Sequence, residues 1–421
     1  MLAITCLAVA ASRLVLCNAR CSSQGTFDGS GACVPSAALT YERNDTWDSP
    51  GGDYGGYSAW TDGINVYTVA TSDASGSNDL VLIKWDMNGD FVWNRTFGTA
   101  ESEEGWGIWG DGTYIYTTGT AYNGMDMDVL LVKWTKDGDQ VWNVTTGGAY
   151  SDAGKAIWGN ASVVYVVGYI EVGGVANDIA LIKWNATNHE VMNTWTWGGS
   201  QNDQGNHITS DGNAIYTCGI TDSFGAGNID HVLIKWSLSG SQLWNCTYGG
   251  VYGDGANNVQ VIGNAVYTCG WQTTINTTLG LLVKWNADNG NQLWNKTFDT
   301  GVSTVFRSMW YDGDSIYTCG STQINPAADY AAFVVAWSLN GTATWNGTAT
   351  FPTTGEGNAI TGSGSSIFIC CDFAATNGTY AIALIKWIIP GGGIAGFSDA
   401  AIVVAILIPT ALLAGRRRSR R

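Results

Sequence analysis

Seven positions, spaced about fifty residues apart, carry side chains able to hold a ligand: Trp60, Trp109, Trp158, Thr209, Gln260, Trp310 and Thr361. Two residues before three of them stand His207, Asn258 and Ser308, which an extended strand directs to the same face. Indole rings offer flat apolar plates, while amides and hydroxyls add directional hydrogen bonds. Together they suit a sugar or a small apolar ligand. The same positions also suit packing between structural units. The residue before each one (Ala59, Ile108, Ile157, Ile208, Val259, Met309 and Ile360) is apolar and faces the other way.

Nothing as specific supports catalysis. His189, His207 and His231 are scattered, and no HExxH motif or His/Asp cluster occurs. The turns Asp86–Asp90 (DMNGD) and Lys136–Asp139 (KDGD) lack the alternating acids and closing Glu of a calcium loop, so they read as hairpin turns. Cys218, Cys269, Cys319 and Cys370 hold one recurring position and read as small buried hydrophobes. A disulfide needs a Cα separation of ~4.4–6.8 Å, less than equivalent sites on successive units offer. No catalytic residue, metal site or cofactor is therefore assigned.

The elements that position these residues repeat. The phrase DLVLIKW ends at Trp85 and returns around Lys133, Lys183, Lys235, Lys284, Ala336 and Lys386, at steps of 49, 50, 52, 49, 52 and 50 residues. Each unit reads as four strands. The first ends at the positions named above, and Asp-Gly turns follow at Asp62, Asp111, Asp211 and Asp312. An aromatic (Tyr67, Tyr116, Tyr165, Tyr216, Tyr267, Tyr317, Phe368) marks the second strand and the KW phrase the third. Trp93, Trp142, Met192, Trp244, Trp294 and Trp345 mark the fourth. The repeated Lys reads as structural, its stem packed and its head on a carboxylate or turn carbonyl nearby. Asp79, Asp128, Asp178 and Asp230 precede it by an odd offset and face away from it.

The seventh unit lacks a fourth strand. Leu39–Trp47 (LTYERNDTW) supplies one, with Asn44 and Thr46 falling where Asn94 and Thr96 fall. The fold expected is all-β: a seven-bladed β-propeller of four-stranded blades over 39–387, its last blade closed by an N-terminal strand.

The run GGAYSD, VYVVGY, NDIALIKW and GG across 147–199 resembles the SBBP type of seven-bladed propeller repeat. That resemblance covers about 39–387 and implies an extracellular location and no catalytic residues. Trp285–Trp294 (WNADNGNQLW) also resembles the repeat of quinoprotein dehydrogenases, in which the motif's Trp packs between blades and binds no cofactor.

Net charge is −16, and seven of the 19 basic residues sit at the chain ends, leaving the body between them at about −23. Such a field disfavours nucleic acid as a partner. The stretch 1–19 resembles a secretory signal without a basic start, and 20–38 is a loop in which Cys21 and Cys33 are expected to pair. A Gly-rich linker spans 388–399. The apolar run 400–415 precedes a basic tail, 416–421, and is expected to be a single membrane span or a cleaved sorting segment, with the tail inside.

Eleven N-x-S/T sequons accord with export, and six of them (Asn44, Asn94, Asn143, Asn245, Asn295 and Asn346) share the fourth-strand position expected to carry glycan. The function expected is binding, adhesion or interaction at the cell surface, with a carbohydrate or protein ligand. The alternatives are a glycan-active hydrolase or lyase at the channel mouth and a structural coat component.

Overall fold

The computed structural model describes residues 40–47, 54–73, 76–300, 302–323, 330–349, 351, 354–374 and 380–389. The expected leader, Cys21 and Cys33, the span 400–415 and the tail 416–421 lie outside the described residues. Within them, twenty-eight strands form seven four-stranded antiparallel sheets, a seven-bladed β-propeller. Among the described residues no helix is long and apolar enough to cross a membrane.

Blade two shows the plan: an inner strand Glu103–Gly110, then Tyr114–Tyr122, Met127–Thr135 and the outer Gln140–Thr146. The Asp-Gly turn folds as its chemistry requires. Gly112 takes φ +89°, and the Asp111 carboxylate accepts the amide hydrogens of Thr113 and Tyr114. Its other oxygen takes the Tyr116 hydroxyl, and Asp211 with Tyr216 and Asp312 with Tyr317 repeat the bond.

The ring closes as the sequence suggests. Thr40–Trp47 runs antiparallel to Tyr380–Ile388 as the outer strand of blade seven. Ile385 faces Asn44 and Ala383 faces Thr46, the register in which Ile83 faces Asn94 and Val81 faces Thr96 in blade one. Closure removes two unpaired edges that would otherwise recruit other chains.

The core lies between blades. Tyr67, Leu80 and Leu82 of blade one pack on Ile108, Leu130 and Trp134 of blade two. Likewise Val66 and Val81 pack on Phe368 and Leu384 of blade seven, joining the last blade to the first. The KW phrase fastens these layers. Lys84, Lys133, Lys183, Lys235 and Lys284 each donate to a carbonyl in the outer turn of the following blade, at 2.8–3.4 Å. The stem thus spans apolar core and the ammonium is satisfied at its far side. Beside it the indoles of Trp85, Trp134, Trp236, Trp285 and Trp337 donate to a buried Thr one strand away, at 2.9–3.0 Å.

One landmark needs correction. Met192 is not the counterpart of Trp93. Lys183 pairs with Asn193, whereas Lys84 pairs with Trp93. The turn after Trp184 is one residue longer, with His189 at φ 54°, so Met192 occupies the exposed bulge where Val92 sits in blade one.

Candidate functional site

All ten expected channel residues line one central cavity of about 400 Å³. The four Trp among them also make extensive contacts between and within blades. Trp60, Trp109, Trp158 and Trp310 lie on Tyr67, Tyr116, Tyr165 and Tyr317 at centroid distances of 5.7–6.0 Å. The rims of Trp60, Trp109 and Trp310 press on Gly110, Gly159 and Gly362 of the next blade, where an added Cβ would come within 2.5–3.2 Å. Where the landmark is Thr209 or Gln260, the following blade places Val261 or Tyr311 at that glycine's position. Size is thus matched at these five junctions of the ring.

Polar groups gather deeper in the cavity. Asn258, 4% exposed, donates to Ser308 Oγ at 3.2 Å, while its Oδ1 has no partner. His207 is half-buried and accepts weakly from the Val259 amide at 3.5 Å. Loss of hydration pulls its imidazole down to about 4, so the ring is neutral at physiological pH.

The residues that sequence reasoning missed form a second ring at the mouth. Every inner strand carries a β-bulge three residues before its landmark, as between Gly56 and Ser58 or Gly105 and Gly107. By strict alternation those residues would face away from the channel; the extra residue turns them inward. They are Tyr57, Trp106, Lys155, Asn206, Asn257, Arg307 and Asn358, and all line the cavity. A signal existed: a Gly stands immediately before five of them, at Gly56, Gly105, Gly154, Gly205 and Gly357. At Gly105 the reason is close approach, since a Cβ would lie 2.7 Å from the Ala70 carbonyl.

Around this ring each side chain reaches a neighbour. Tyr57 stacks on Trp106 at 4.4 Å, and the Lys155 ammonium lies 3.3 Å from the centre of the Trp106 ring. Asn206 donates to the Ala256 carbonyl and Asn257 to that of Phe306, at 2.9 and 2.8 Å. Arg307 pairs with Glu356, and Asn358 donates to Asp372 at 2.6 Å. Glu104 accepts from Asn78 and from the Trp106 indole, both at 3.2 Å.

Burial dominates the electrostatics here. It brings Lys155 down to about 8, partly opposed by Glu104. It pushes Tyr57 up to about 12, helped by Glu104 and Asp372. Asp372 rises to about 6 through burial and the nearby Glu356 charge.

Elsewhere the candidates for chemistry are accounted for structurally. The described cysteines are free, and burial raises the thiols of Cys218, Cys269, Cys319 and Cys370. Asp86 accepts the amides of Asn88 and Asp90, as a hairpin turn requires. Among the described residues no group of three or more His, Cys, Asp or Glu could hold a metal ion.

Fold and site define a β-propeller with a polar, lined channel. No family model matches the chain, and no curated protein does, so the SBBP likeness of 147–199 rests on the sequence resemblance alone. Solved structures do match. The WD40 β-propeller domain of Doa1 aligns at TM-score 0.53 and 11% identity, over 82% of this chain and 97% of that one. The β-propeller domain of the trilobed protease from Pyrococcus furiosus aligns at 0.46 and 8%, over 81% and 94%. The phage phi92 endosialidase aligns at 0.47 and 9%, over 89% and 71%. At such identity the likeness to the Doa1 domain shows the fold alone.

Proposed function

We propose that this protein is an exported propeller, held at the cell surface through its C-terminal segment, that binds a carbohydrate or protein ligand and does so without catalysis. The observation that carries the binding reading is unspent hydrogen-bonding capacity in the channel, at its mouth and deeper. Among the described residues Lys155 makes no hydrogen bond or ion pair, and Arg307 Nε and Asn258 Oδ1 are buried without partners. Polar groups taken from water and left unpaired cost about 1–3 kcal/mol each, a cost that hydroxyls of a bound ligand would offset. A polyhydroxylated ligand, a glycan end, fits this better than an apolar one.

The test is a glycan array probed with the full chain and with Lys155→Met and Asn258→Ala. Binding should fall at least tenfold in both while the unfolding transition is retained; unchanged signals would retire the channel. Anchoring is read by fractionating cells that express the chain with and without 400–421, which should move it from membrane to medium. Asn143, Asn245, Asn295 and Asn346 are exposed on outer strands, so glycosidase treatment should lower the mass of the exported protein.

One observation favours the second reading, a glycan hydrolase. Asp372, held near 6, stands across the strand pair from Glu356, as an acid and a base would, and the partners of the two, Asn358 and Arg307, line the cavity. Against it, Glu356 is engaged by Arg307, Asp372 by Asn358, and Glu104 by Asn78 and Trp106. Reducing-end release from a glycan that binds, abolished by Asp372→Asn, would decide for catalysis.

A further inference from the structure

The face on which the inner strands begin carries two sets of loops, those entering each blade and those joining its second and third strands. Over blades two to five these loops expose large apolar side chains. Met125 is 84% exposed, Val175 82%, Ile275 76%, Val251 71%, Phe224 45% and Tyr150 42%. Successive loops touch, so the tips form one crescent. The Tyr150 ring lies against Gly174, where a Cβ would come within 2.8 Å, and Phe224 packs 4.9 Å from Trp197 and against Gly199. Gly227 abuts the Gly250 carbonyl of the following loop. Soluble surfaces seldom leave large contiguous apolar area uncovered, and where they do a partner usually covers it.

Charge selects the partner. The loops 98–102, 123–126, 147–152, 173–175, 198–202, 222–229, 249–253 and 274–277 contain no Lys or Arg. Carboxylates border the tips instead: Glu101 is exposed, and Asp126, Asp128, Glu171 and Asp222 are half-buried. An acidic rim without a base repels anionic lipid, nucleic acid and a second copy of this acidic chain. The most exposed tips, Met125, Val175, Ile275 and Val251, offer a sugar neither a flat ring nor directional hydrogen bonds, and the Tyr150 and Phe224 rings are partly covered by Gly174 and by Trp197.

We infer that this crescent docks a cationic polypeptide segment carrying apolar side chains, whose Lys or Arg meet the rim while its apolar groups cover the tips. The inference rests on reading the protein as a binding module, but it names a surface separate from the channel mouth.

The probe is a fluorescent 14-residue Lys/Leu amphipathic peptide. Its anisotropy is followed with the full chain in phosphatidylcholine nanodiscs, beside poly-lysine and a Glu/Leu peptide of the same pattern. Binding of the Lys/Leu peptide should saturate and weaken as salt rises from 50 to 300 mM. It should fall at least tenfold in the variant carrying Met125→Ser, Val175→Ser, Phe224→Ser and Val251→Ser. All four sites are exposed, and an unchanged unfolding transition confirms that the variant is intact. Equal binding by that variant would overturn the inference, because only unspecific attraction to an acidic body would remain. So would equal binding of the Glu/Leu peptide, or uptake by empty nanodiscs matching the total. Loss of peptide binding in Lys155→Met alone would place the peptide in the channel and overturn it too, whereas loss of glycan binding alone would bear on the channel and leave the crescent standing.

Discussion

Replacing Val166 with Thr should stabilise the protein, which is unusual for a polar substitution at a site with no exposed surface. In blades one, two, four, five and six the KW indole donates to a Thr on the second strand: Thr68, Thr117, Thr217, Thr268 and Thr318. Val166 faces Ile182 as Thr117 faces Val132, so it stands at the equivalent place, and the Trp184 indole N–H is buried with no partner. A net hydrogen bond is worth about 0.5–1.5 kcal/mol, and an unsatisfied buried donor costs about 1–3 kcal/mol. Thr matches Val in shape but adds a hydroxyl that must itself be desolvated, so the net gain expected is about 1 kcal/mol. The reverse change, Thr117→Val, orphans the Trp134 indole and should cost about 1–3 kcal/mol. With unfolding entropy near 2.1 cal/mol/K per residue over roughly 350 residues, 1 kcal/mol moves Tm by about 1–2 °C, so the midpoint of urea unfolding is the better readout. A midpoint that falls in Val166→Thr, or stays put in Thr117→Val, would refute the claim that this recurring bond contributes to stability.

Three further outcomes are expected. Gly110→Ala drives a methyl into the Trp60 ring, where an added Cβ would lie 2.5 Å away, and should cost about 1–3 kcal/mol; most of that should return in the double variant with Trp60→Leu, measured as a coupling energy. Asp372→Asn should stabilise the protein at pH 7.5. A carboxyl raised to about 6 in the fold contributes stability below about pH 4 that is lost as pH rises through 6, worth at most about 3 kcal/mol, so a gain constant between pH 4 and 8 would contradict it. Deleting 40–47 bares the edge of Tyr380–Ile388 and should yield dimers or larger species by size-exclusion chromatography; a stable monomer would show the edge to be protected otherwise.

Most of the fold could be read from the chain because the repeat writes the same short phrase in nearly every blade. Even the displaced strand was legible, since Asn44 and Thr46 reproduce the register of Asn94 and Thr96. The landmark ring of the channel followed from simple alternation. The ring at its mouth did not, because a bulge adds one residue and inverts the parity on which alternation depends. Tyr57, Lys155 and Arg307 therefore read as facing away. The same parity error, caused by a longer turn, misassigned Met192. Both failures are local insertions within a correct architecture, and in each case the repeated Gly or the lengthened turn was visible in the sequence before its geometric meaning was.

The matching of Trp60, Trp109 and Trp310 to a glycine in the following blade has an evolutionary corollary. At the five matched junctions the repeated blades are of two kinds, those that press an indole on a glycine and those that set Thr209 or Gln260 before Val261 or Tyr311. Moving the second unit in front of the fifth would thrust the Trp109 indole at Val261, and seating the fourth before the third would leave a void beside Gly159. Exchange of units across the two kinds is thereby disfavoured, whereas units that share the indole-on-glycine seam remain exchangeable at it.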